Sequence, residues 1–371
     1  METSNLEAKL GGNDDHGHKR SDLDPEAAVG GEFHGGSDAK RPPRECNYED
    51  PSPSDDMGMD EEMSAEQSFR VHRKDWLMMY GDNDANSFEA ESTCPPMRYT
   101  DIPVLPLGAK PADTMEVFFV KVVQITSDLS WPLDVYGVVA VRDSIDSKRN
   151  YLFRRGRDDC QTLGSPQARA NIPDSLLELT GPSHAILLWD ESAFEIDLKV
   201  KSRGSSSSED KVLCLDFFGY NNISYKGNVS YARTKVVSSR HSTVEVRFAH
   251  LKRSVEATIT AHIVKGGSFS ARLTACNPSI GEDVVLLDTR GQEVSVTKDG
   301  EVALQHRVVI VEDGADLMID LKAVQPGDTD ESCIKVDKKR RIVAKSALRN
   351  ECFFNIGSSS LRVLVAWSLL R

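Results

Sequence analysis

From Met115 to the end of the chain, apolar residues recur at every second position in short runs, broken by Gly, Asp, Asn, Ser and Pro. This alternation constrains the fold most, because a period of two sends successive side chains to opposite faces of a strand. "EVFFVKVVQI", "VYGVVAVRD" and "NYLFRR" open the series, "SLLELT", "STVEVRFAHL" and "SVEATITAHIV" continue it, and "SLRVLVAWSLL" closes it. In the last run Leu361, Val363, Val365, Trp367 and Leu369 share one face. No long helical pattern intervenes, which disfavours parallel βαβ architecture. The expected fold is all-β: two tandem antiparallel sandwiches of similar design behind an acidic tail and a short helix.

The expectation of two similar units comes from a repeat. "FEIDLKVKSRGSSSSEDKVLCLD" at 194–216 returns as "LMIDLKAVQPGDTDESCIKVD" at 317–337, so that Ile196, Leu198 and Val200 correspond to Ile319, Leu321 and Ala323. "MEVFFVKV" matches "VEATITAH" further upstream at an offset of 140. The drift in offset follows loop length. The spacing divides the chain into a tail (1–62), a helix and Pro-rich connector (63–112), and sandwiches at 113–250 and 251–371. Ile196 and Leu198 face inward in this scheme, and Asp197 and Lys199 outward.

Charge is unevenly spread. Residues 1–67 carry 18 acids and 6 bases, whereas the remainder is almost neutral with 40 acids and 39 bases. The tail has too few branched apolar residues to offset the entropy of ordering and is expected to be disordered. Ser64 is placed to cap a helix on which Phe69, Trp76 and Tyr80 share a face, with Gly81 as its stop. Such a helix either packs on the body or docks a partner through its Trp and Met side chains. Five prolines in 94–113 predict an extended connector. No apolar run is long enough for a transmembrane helix and no signal-peptide core opens the sequence, so a cytoplasmic or nuclear location is expected.

The densest charged stretch is "RDSIDSKRNYLFRRGRDDCQTL", 142–163. Arg142, Arg149, Arg154, Arg155 and Arg157 suit an anion site, because planar guanidinium groups grip phosphate or carboxylate in pairs. Asp143, Asp146, Asp158 and Asp159 suit a calcium loop, which takes six to eight oxygens. A salt-bridged turn between two strands needs neither ligand. A second basic run, "KKRR" at 338–341, matches a nuclear-import or phospholipid patch, or the lysines that blunt an exposed sheet edge. No aromatic residues interleave with these bases, which weighs against nucleic acid. The GxSxG, HExxH, GxxxxGK[ST] and GxGxxG patterns are absent, and His184 and His306 open matching strands, where a structural role is expected.

"WPLDVYGVVAVRDSIDSKRNYLFRRGRDDCQTL", with "LELTGPSHAILLWD" and "FEIDLKVK", resembles a plant domain-of-unknown-function family abundant in grasses. The resemblance runs from about Met97 to Arg371 and implies a conserved β-rich body behind a variable acidic extension. It transfers no activity. Some relatives stand near ribosome-inactivating N-glycosylases, but no helix of the "EAAR" kind is present here. The expected function is a non-catalytic interaction module, with no cofactor or metal, that recognises a protein or anionic ligand through the 142–158 segment. The alternatives are a hydrolase acting on nucleic acid or sugar through two facing carboxylates, and a calcium- or phospholipid-binding module of C2 type.

Overall fold

The computed structural model describes residues 64–81, 87–166, 174–204, 206–221, 227–326, 333–345 and 347–370, and the tail at 1–62 lies outside them. Helix α1 (Ala65–Tyr80) precedes strands β1 (Ala112–Ile125), β2 (Leu133–Arg142), β3 (Asn150–Arg155), β4 (Gln161–Leu163), β5 (Ile186–Leu187), β6 (Ser192–Val200), β7 (Lys211–Tyr220) and β8 (Tyr231–Ser238). After β9 (Ser242–Lys265) come β10 (Ser270–Cys276), β11 (Asp283–Asp288), β12 (Val308–Glu312), β13 (Asp316–Pro326), β14 (Cys333–Val343), β15 (Arg349–Ile356) and β16 (Ser359–Ser368). The protein is an all-β chain with a short helix in front, and its strands pair antiparallel throughout these elements.

Three sheets form two sandwiches. One four-strand face runs β3-β2-β6-β7, with β4 beside β2, and another runs β11-β10-β13-β14. The third sheet lies behind both and contains β1, β5, β8, β9, β12, β15 and β16. One core gathers Val117, Val139, Phe153, Ile196, Leu198 and Val246, and the other Ile259, Leu273, Leu286, Ile319, Leu321 and Trp367. Ile196, Leu198, Ile319 and Leu321 all point inward, as the alternation requires.

The pairing of one lobe mirrors that of the other. In the first, β1 pairs with β5 and with the N-terminal part of β9, which also holds β8. In the second, the C-terminal part of β9 pairs with β12 and with β16, which holds β15. The front faces match in the same way, β2 between β3 and β6 and β10 between β11 and β13.

Strand β9 belongs to both lobes. "STVEVRFAHL" and "SVEATITAHIV", expected as separate strands, form a single strand of 24 residues. The expected border at 250/251 falls inside it. No Gly or Pro lies between Ser242 and Lys265 to end the ladder, and Arg253 absorbs the irregularity with a φ of 46°. Simple alternation fails from Ser254 to Ile259 because that stretch is buried on both faces. Here two repeat-related glutamates reach across the junction. Glu116 on β1 accepts the amide of Ile310 on β12 at 2.5 Å, and Glu256 on β9 accepts the amide of Ala185 beside β5 at 2.8 Å. Each satisfies a buried amide of the other lobe that has no ladder partner there.

Two expectations need correction. "SLLELT" is not a strand: it runs alongside β1 and makes one bridge, Leu176 to Lys121. The connector is not simply extended. Its turns pin it to the end of the second lobe through Tyr99 N to Ser368 Oγ (3.0 Å) and Thr100 Oγ1 to the Trp367 carbonyl (2.8 Å).

Candidate functional site

Helix α1 begins with a reciprocal capping box between Ser64 and Gln67. Its apolar stripe buries Phe69 and Trp76 against Phe88 from the turn Ser87–Glu89. Tyr80, expected on the same face, is 54% exposed at the helix end, and Met78 and Met79 point outward. The helix rests on the outer face of β6 and β7, where His72 stacks on Phe217 with ring centres 4.4 Å apart and Trp76 Nε1 donates to the Ser147 carbonyl at 2.8 Å.

Glu195 lies beneath this helix with no exposed surface. It accepts Arg142 Nε at 2.5 Å, Arg149 Nε at 2.6 Å and a bond from His72 Nε2 at 2.8 Å. Burial alone would raise its carboxyl, but His72 and the two guanidinium groups outweigh that and hold it down at about 2. Arg142 also donates to the carbonyls of Phe88 (2.6 Å) and Ser147 (2.8 Å), and Arg149 pairs with Glu89. The Phe88 ring faces Arg73, Arg142 and Arg149 at 4.6, 4.2 and 4.8 Å.

The remaining residues of the 142–158 stretch do not join this hub. Asp143 accepts the amides of Ile145 and Leu187, and burial pushes its carboxyl up. Asp146 accepts Ser92 Oγ at 3.0 Å. Arg154 is exposed, 3.2 Å from Glu91 and over the Tyr151 ring. Arg155 pairs with Glu178 at 2.7 Å and Asp159 at 3.2 Å. Arg157 grips Asp210 through two bonds, 2.7 and 3.1 Å, and exposed Asp158 stands 3.9 Å from Lys201. Of the eight side chains, Arg142 and Arg149 therefore meet on Glu195, and the other six serve separate contacts within the chain. Sequence reading missed Glu195, Glu89 and His72, which come from distant segments. The signal available was the amphipathic helix, whose buried Trp76 needed a seat.

Among the described residues, no group of three His, Cys, Asp or Glu side chains is placed to hold a metal ion. A cavity of about 120 Å³ between the lobes is lined by Asp174, Glu178 and Asp288. Arg155 and Arg290 clamp Glu178, and Arg272 holds Asp288 at 2.9 Å.

The outer face of β10-β13-β14 is the counterpart of the face that α1 covers. In register, Leu215 lies opposite Asp197 and Phe217 opposite Glu195, just as Lys339 lies opposite Asp320 and Arg341 opposite Met318. The apolar seat of the helix is thus replaced in the second lobe by two cations, 64% and 68% exposed. Lys339 reaches Asp320 at 2.9 Å and Arg341 reaches Asp316 at 2.7 Å. Alternation turns the other half of "KKRR" away, Lys338 to the Asn355 carbonyl and Arg340 to that of Phe353. Beside them Arg272, Lys322 and Lys335 line an open hollow of about 410 Å³, with Ser270, Thr289 and Asp337. Lys322 and Lys335 form no ion pair among the described residues.

Residues 114–365 match the family described as Domain of unknown function (DUF6598), and the chain belongs to that family. No curated protein matches the sequence. Among solved structures, the human GIVD cytosolic phospholipase A2 is similar at 10% identity and a TM-score of 0.21, over 70% of this chain and 33% of that one. The two adjoining C2-domains of Extended-Synaptotagmin 2 are similar at 8% identity and a TM-score of 0.23, over 76% of this chain and 100% of that one. The chain thus spans about a third of the phospholipase, and its fold rests on the strand pairing described above.

Proposed function

We propose that this member of the DUF6598 family is a non-catalytic binding module whose second lobe receives an anionic ligand on the outer face of β10-β13-β14. One observation carries the reading: where the first lobe seats its own helix on Leu215 and Phe217, the second presents Lys339 and Arg341 to solvent. A sheet face of one design is covered by an amphipathic helix in one lobe and, among the described residues, presents exposed Lys339 and Arg341 in the other. Lys322 and Lys335 around the adjoining hollow supply further donors, and Ser270 and Thr289 supply hydroxyl groups, while Arg272 there is paired with Asp288 at 2.9 Å.

The 142–158 segment, the surface expected from sequence, is a weaker choice. Arg142 and Arg149 are 5% and 3% exposed and already bound to Glu195, so an outside anion would have to displace α1. A hydrolase is less supported, because two of the three carboxylates in the inter-lobe cavity are held by arginines. A calcium loop is less supported, because Asp143 and Asp146 accept protein donors.

Titrating the full chain with heparin and with inorganic pyrophosphate tests the proposal. Binding should weaken as salt rises, and K322E with K335E should reduce it at least tenfold while R154E leaves it unchanged. Loss on R154E alone would return the site to the 142–158 segment. Equal binding by all variants, or none by the unsubstituted chain, would overturn the reading.

A further inference from the structure

Residues 101–108, Asp-Ile-Pro-Val-Leu-Pro-Leu-Gly, are exposed without a break. Val104 is 82% and Leu107 fully exposed, with Ile102 and Leu105 at 37% each, and Leu348 on the neighbouring loop adds a further 54%. A continuous apolar surface of this kind, unlike single exposed apolar side chains, calls for an occupant. The loop is held at both ends. Met97 N binds Glu256 at 2.7 Å, Arg98 Nη2 the Leu370 carbonyl at 2.8 Å and Asp101 N the Ala347 carbonyl at 3.0 Å. At the far end Ala109 N closes a turn on the Pro106 carbonyl at 2.9 Å, and the Lys110 carbonyl accepts Leu370 N. The apolar side chains therefore project from a fixed base.

We infer that this loop is an anchor that inserts into the interfacial region of an anionic lipid bilayer. Three features favour lipid over a protein groove. The surface is a convex prong, which a deformable bilayer can envelop. Its tip contains Pro103 and Pro106, which remove two backbone donors that would otherwise lose water on insertion. Its base carries cations: Lys110 and Lys345 are exposed, and Arg349 neutralises Asp101 at 2.5 Å. Between Ile102 and Lys110 there is no acidic residue. Apolar insertion and a basic collar together supply the two weak signals that reversible membrane binding requires. The inference is independent of the ligand proposed for the sheet face.

Flotation of the full chain with vesicles is the test. The chain should float with phosphatidylserine/phosphatidylcholine vesicles and much less with phosphatidylcholine alone. V104D and L107D should each weaken binding by roughly tenfold or more, the loss expected from one buried aliphatic side chain. Their thermal melts should not move, since neither side chain is packed. K110E with K345E should remove the preference for anionic lipid. V104W should give a blue-shifted emission component with vesicles that the unsubstituted chain lacks. K322E with K335E should leave flotation by way of the loop intact, which separates this inference from the sheet-face reading. Flotation insensitive to V104D and L107D, an unshifted V104W, or no flotation at all would each overturn it.

Discussion

Two buried glutamates show how one residue type takes opposite roles in the same fold. Glu195 is surrounded by Arg142, Arg149 and His72, and the net effect lowers its carboxyl from 4.5 to about 2. Glu116 is fully buried, and burial outweighs the amides of Ile310 and Val117, raising its carboxyl from 4.5 to about 8. Its Oε1 has no hydrogen-bond partner, so no donor offsets the burial at that atom. The linkage signs are opposite. The contribution of Glu195 is full above pH 4.5 and fades as pH falls toward 2. That of Glu116 is full below pH 4.5 and is lost as pH rises through 8. Denaturant titrations across pH should show a contribution from these two groups that is greatest near pH 4.5 and falls on either side, each limb on the order of a few kcal/mol. E116Q should flatten the alkaline limb, because a neutral amide still accepts the Ile310 N–H. E195Q should instead destabilise near neutral pH by about 3–5 kcal/mol, leaving two buried guanidinium groups short of charge, and should flatten the acid limb. A pH profile unchanged by either substitution would refute these assignments.

At the scale of elements, the contrast between β7 and β14 decides which face is covered. Helix α1 stays on the first lobe because Leu215 and Phe217 offer it an apolar seat and Glu195 offers a charged socket. The helix alone, sixteen residues long, would be marginal in water. Replacing its seat with the residues of the second lobe, L215K with F217R, should release it. Trp76 emission should then move to the red, and protease should cleave near Tyr80, while the strand signal in circular dichroism persists. Unchanged Trp76 emission would show that the Glu195 hub alone holds the helix. The helix and its inward Phe69 and Trp76 could be read from local pattern. Its seat could not, because Glu195 looks like any outward residue of an alternating strand until a second element covers it.

For the whole molecule, β9 is the decisive element. Two cores share one continuous backbone ladder and exchange the Glu116 and Glu256 side chains across their junction, so their stabilities are coupled. L198A and L321A, at matching positions in the two cores, should each cost about 2–5 kcal/mol. Both should lower the same single transition in calorimetry. Two separate transitions, each moved by one substitution, would show instead that the lobes unfold independently. The pairing pattern also agrees with a duplication, which we propose as the origin of the repeated "IDLK" strand.

The sequence by itself determined the class of fold, most strand positions, the capped helix and the inward set Ile196, Leu198, Ile319 and Leu321. These follow from local periodicity and from capping chemistry, which a short window contains. Only the tertiary structure decided that 242–265 is one strand, that Arg142 and Arg149 face Glu195, and that Lys339 and Arg341 stand exposed on the second sheet face. Each of those outcomes depends on what a distant segment brings to the same place. Burial on both faces of β9 erases its alternation, and a guanidinium group takes its partner from whichever carboxylate packing delivers.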